Sequence, residues 1–86
     1  MTTRKLLEKL KDILNAKRNA QVTKYKSLKE VLKSLRKKKV KLEGELSTET
    51  SDEKREKILS KLHVISAQRK KGLEVLKELK VERKQK

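Results

Sequence analysis

The 86-residue sequence contains no cysteine, proline, tryptophan or phenylalanine, and only two glycines, one tyrosine and one histidine. Without cysteine there is neither a disulfide framework nor a thiolate zinc site. Gly44 and Gly72 are too few and too isolated for a loop that cradles the phosphates of a nucleotide. With Tyr25 as the only aromatic residue, no platform exists for stacking unpaired bases, and Tyr25 itself reads as flanking a helix seam with its hydroxyl at the edge. His63 has no second histidine to complete a metal site and reads as structural or solvent-facing. No apolar run approaches the roughly 20 residues that cross a bilayer, and the first residues lack the apolar block of a signal peptide. A soluble, cytoplasmic protein is therefore expected. No Ser or Thr has a positioned base partner, so neither enzymatic activity nor a cofactor is expected. Glu43, Glu45, Glu49, Asp52, Glu53 and Glu56 lack the spacing of a calcium loop; helix capping accounts for them, and no metal is expected.

What the sequence does have is a periodic set of Leu, Val and Ile and a large excess of cations: 27 Lys and Arg against 12 Asp and Glu, a net charge of +15. The expected fold class is all-α, a single helical domain. Leu6, Leu7, Leu10, Ile13, Leu14, Leu28, Val31, Leu32, Leu35, Leu42 and Leu46 fall on one arc at about 100° per residue. Their phase agrees to within about 20° on either side of the polar stretch 15–24. Neither Gly nor Pro stands in that stretch. One helix is expected from about residue 3 to 46, roughly 65 Å long, with Lys17, Gln21, Lys24 and Lys39 interrupting its stripe. Ser47–Asp52 is the strong loop signal, because its side chains compete for backbone hydrogen bonds. The loop is placed at 47–50. Thr50 and Glu53 have the spacing of a capping box, and Asp52, Glu53 and Glu56 suit the positive end of a helix dipole. A second helix, about 51–83, carries Ile58, Leu62, Ile65, Arg69, Gly72, Leu76 and Leu79, and residues 84–86 form a frayed basic tail.

A short loop makes the two helices an antiparallel, coiled-coil-like hairpin. A register centred on the loop sets Leu35 against Leu62, Tyr25 against Leu73 and Lys26 against Gly72. Arg69 and Lys39 then snorkel from the seam, or act as a polar layer that fixes register. The second helix runs out opposite residue 15, which leaves Leu6, Leu7, Leu10, Ile13 and Leu14 uncovered. Exposing them forfeits roughly 1.5–3 kcal/mol each. Self-association into a homo-oligomeric bundle covers them. The alternative is a three-helix bundle with a break near 15–23, for which Ser60, Val64, Ala67 and Val75 offer a second face on the second helix.

The charge is polarised along the chain. Residues 17–41 hold eleven Lys and Arg against Glu30 alone, whereas residues 42–56 hold six Asp and Glu against two cations. Lys11, Arg18, Lys26, Lys29, Lys33, Arg36 and Lys37 line up opposite the apolar stripe along about 40 Å of helix. Crowded like charge of this kind is relieved by a polyanion. The expected partner is nucleic acid, DNA or structured RNA. It is held mainly through backbone phosphates by Arg18, Lys26, Lys29, Lys33, Arg36, Lys37, Lys70 and Lys71. Asn15, Asn19 and Gln21 read as hydrated surface amides rather than base readers. The alternative function is a structural or regulatory coiled-coil adaptor that docks a partner protein on Leu6, Leu7, Leu10, Ile13 and Leu14. Residues 3–18 have the outline of a basic amphipathic helix. They lack Trp and Phe, and Glu8 and Asp12 dilute their charge, so membrane binding is not expected.

Overall fold

A computed structural model of the chain describes residues 2–84, and all regular structure among them is helical. The elements are α1 (Thr3–Asn15), α2 (Arg18–Thr23), α3 (Tyr25–Thr48) and α4 (Asp52–Lys84). Backbone bonding decides where each begins. Thr2 caps α1 by accepting the Lys5 amide at 3.2 Å, which satisfies one of the free donors of the first turn. The Arg55 amide donates to the Ser51 carbonyl at 2.9 Å, so α4 starts one residue later than a cap at Thr50 would place it. At the other side of this loop, the Arg55 guanidinium donates to the carbonyls of Leu46 (2.8 Å) and Glu49 (3.1 Å). A side chain of α4 thus satisfies acceptors that the end of α3 leaves open. α4 is described as far as Lys84, which is helical where a frayed tail was expected over 84–86; residues 85–86 of that tail lie outside the described residues.

The continuous first helix expected over residues 3–46 is corrected. Ala16 and Lys17 are both extended, with ψ of 157° at each, and the chain turns there. At Lys24 the ladder barely falters: its amide donates to Ala20, its carbonyl accepts from Leu28 at 2.8 Å, and α2 leads into α3. Three local bonds stabilise the corner without Gly or Pro. Asn19 Oδ1 accepts the Ala20 amide at 2.9 Å, diverting a side chain into turn bonding. Gln21 Nε2 donates to the carbonyls of Ile13 (3.1 Å) and Leu14 (3.2 Å) at the end of α1. Gln21 is buried at 6% exposure, so it is not the hydrated surface amide expected.

Past this corner α1 lies against both α3 and α4. Leu6, Leu10 and Ile13 enter one core with Leu28, Val31, Leu32, Leu35, Ile65 and Leu79, flanked by half-buried Leu7, Leu14, Tyr25 and Val75. The apolar residues that lacked a partner in the hairpin reading are covered within the chain. The α3–α4 register also moves. Arg69 Nε donates to the Leu32 carbonyl at 3.3 Å, and a Cβ on buried Gly72 would stand 2.6 Å from Leu32 Cδ2 and 3.1 Å from Leu10 Cδ1. Gly72 therefore faces Leu32, not Lys26. It is a point where side chains of α1 and α3 crowd the backbone of α4, which a side chain would hold open. The molecule measures 52 × 19 × 18 Å, as long as the 33 residues of α4 at about 1.5 Å each.

Candidate nucleic-acid interface

The cations of α3 stand on the side away from the core. Lys26, Lys29, Lys33, Arg36 and Lys37 are all exposed, while Leu28, Val31, Leu32 and Leu35 between them are buried. Steps of three and four residues set the five in one band. Among the described residues none of them makes an ion pair. The band is about 16 Å long at 1.5 Å per residue, shorter than the 40 Å expected. The turn at Ala16–Lys17 takes Lys11 out of the line, and Arg18 is drawn to α4. Lys11 lies on α1 beside Gln68 of α4. Arg18 Nη2 is 2.7 Å from Glu78 Oε2, so its charge is engaged by a carboxylate.

Lys70 and Lys71 are both exposed but separate. Consecutive residues are about 100° apart on a helix. Arg69 points at α3, which turns Lys70 to the outer side that α4 shares with α3. Lys71 falls on the row of Val64, Gln68 and Val75, the side of α4 that borders α1. The structure therefore brings Lys70 together with the α3 band and sets Lys71 apart from it. Exposed Lys77, two turns beyond Lys70, joins the same outer side, while exposed Glu74 and Glu78 dilute α4's share of the charge.

Val40 also belongs to the surface. It is 60% exposed and lines a shallow depression with Lys33, Arg36 and Lys37. The apolar stripe gave no hint of it, since Val40 sits off the stripe and among charges. Leu6, Leu10 and Ile13 are 3%, 0% and 2% exposed, and Leu7 and Leu14 are half-buried. Of the set expected as a docking or oligomer surface, three of the five members are spent in the chain's own core. His63 is exposed, and no group of three or more His, Cys, Asp or Glu side chains that could hold a metal ion occurs among the described residues. No described helix is long and apolar enough to cross a membrane.

Comparison with protein-family models, with curated proteins and with solved structures finds no match. What the site can do follows from its chemistry. Five long cationic side chains on a rigid helix, without aromatic neighbours, suit anions repeated along a line. Such a row supplies attraction and orientation but few groups to read base edges.

Proposed function

We propose that the chain is a non-enzymatic nucleic-acid-binding protein that grips the backbone of a duplex or structured strand with α3. In this reading the helices form one small bundle, with α2 as its corner and α4 as its spine. The bundle holds α3 straight and presents Lys26, Lys29, Lys33, Arg36 and Lys37, with Lys70 at the flank. The observation that carries it is the band itself: five exposed cations on one helix side without an ion pair among the described residues. A merely solubilising coat pairs its lysines with glutamates at helical spacing. Here residues 17–41 offer Glu30 alone. Phosphates relieve the mutual repulsion and release their condensed counterions on contact.

Titration of a labelled duplex at several salt concentrations tests this. With roughly five phosphate contacts, log K falls with log salt at a slope of about −4 to −5 on DNA. The triple reversal Lys29→Glu, Lys33→Glu, Arg36→Glu removes binding while the circular-dichroism spectrum stays helical, because all three side chains are exposed. Retained affinity in that variant, or a flat salt dependence, discards the reading.

A further inference from the structure

A second surface lies between α1 and α4, away from the α3 band. The two helices run side by side in the same direction: Leu7 and Val64 line one groove, and beyond the end of α1 Arg18 meets Glu78, further along α4. The groove has a volume of about 350 Å³, and Leu7, Val64 and Thr3 line it. Val64 of α4 is 47% exposed there, on the face that α1 only partly covers. The charges at the rim do not balance. Arg4 is 3.4 Å from Glu8 on α1, so these two offset each other. Lys11 on one wall and Lys61 on the other are exposed, with no ion pair among the described residues.

We propose that this groove receives an acidic amphipathic helix of another protein. Its apolar ridge sits on Leu7 and Val64, and its carboxylates meet Lys11 and Lys61. Two neighbouring helices leave a channel into which the side-chain ridge of a third packs. The lining from Thr3 to Lys11 gives that channel about 12 Å, against which about two turns pack. Charge selects the occupant. A second copy of this chain brings another +15 and sets lysine rims against each other. A bilayer is flat and takes projecting apolar side chains with aromatic anchors, whereas Leu7 and Val64 line a recess and no aromatic borders it. Nucleic acid gains nothing from an apolar floor. The proposal is independent of the α3 band.

The test uses the full chain and a fluorescent synthetic peptide of about four helical turns. The peptide carries Leu at helical spacing along one side and Glu on both flanks. Anisotropy is expected to show saturable binding of one peptide per chain. Val64→Asn and Lys61→Glu each weaken it at least about tenfold, roughly 1.4 kcal/mol. Val64→Asn leaves duplex binding and helicity unchanged, and the α3 triple reversal leaves peptide binding intact. A control peptide with Ser for every Leu does not bind. Equal binding by that control shows generic attraction to negative charge and overturns the proposal, as does full affinity in Val64→Asn. Sedimentation of the chain as a dimer that Val64→Asn dissociates assigns the groove to a second copy. Flotation with phosphatidylserine vesicles that Val64→Asn abolishes assigns it to lipid. Either result replaces the acidic helix.

Discussion

The side-chain amide of Gln21 donates to two main-chain carbonyls, those of Ile13 and Leu14, from a site that is 6% exposed. Those acceptors belong to the last turn of α1: the Ile13 carbonyl also accepts the Ala16 amide at 3.2 Å, whereas the Leu14 carbonyl lies past the last helical amide. Gln21→Leu keeps the bulk and removes both donors. Leaving such buried acceptors short of a partner costs about 1–3 kcal/mol. The expected outcome is a lower urea midpoint at an unchanged slope. Asn19→Ala, at an exposed position whose bond is local, shifts the midpoint far less. Equal shifts would show that the corner does not depend on the buried amide. The same residue explains what the sequence concealed. In the periodic pattern Gln21 is a flaw in an apolar stripe, and a polar side chain on a stripe is ordinarily swung into water. Only the turned chain gives it carbonyls to bond, and those carbonyls come from residues seven and eight places earlier.

At the scale of the helix, the ends were legible and the interruption was not. The Ser–Thr–Asp cluster announces itself because capping is a local contest between side chain and backbone, although α4 starts one residue later than the Thr50 cap implied. A phase match across residues 15–24 cannot separate a straight helix from a folded one. Both arrangements bury the same stripe, and the wheel records angle without direction. The absence of Gly and Pro argued for continuity, yet two extended residues, Ala16 and Lys17, suffice to turn the chain. The α3 band remained visible since its five cations stand within one unbroken helix. Arg18 and Lys71 did not belong to it because their placement depends on how α4 docks.

The two glycines offer a sharp test of that docking. Both occupy helix interiors, where replacement by Ala gains about 0.5–1 kcal/mol of intrinsic preference. Nothing lies within 4 Å of a Cβ at Gly44, whereas Leu32 and Leu10 stand at 2.6 Å and 3.1 Å from one at Gly72. Gly44→Ala is expected to raise stability by about that gain. At Gly72 the displaced leucine methyls consume it, and Gly72→Val overpacks the seam at a cost of roughly 1–3 kcal/mol. Thermal melts of the three variants measure this. A stabilised Gly72→Ala would mean that α1, α3 and α4 do not meet there.

For the whole molecule, shape is the decisive quantity. Its Cα radius of gyration is 14.8 Å, above the roughly 12 Å of a rounded domain of this length, as expected when one long helix sets the axis. Small-angle scattering from the dilute chain is expected to give a radius near this value. The longest dimension should be governed by the 52 Å extent. A longest dimension of about 65 Å or more would instead indicate residues 3–46 extended as a single rod. The distribution of charge follows the same axis: the α3–α4 loop end is rich in carboxylates, and the cations lie along the body. In the proposed reading a polyanion is drawn to the flank rather than to the tip.

The contact of Leu10 with Gly72 has a temporal consequence. On the ribosome α1 is completed long before the stretch of α4 that receives it, since a chain grows from its N-terminus at a few residues each second. For that interval Leu6, Leu10 and Ile13 form an apolar strip whose seat on α4 is not yet made. The strip stays adhesive until residues 65–79 have left the ribosome and can pack against it.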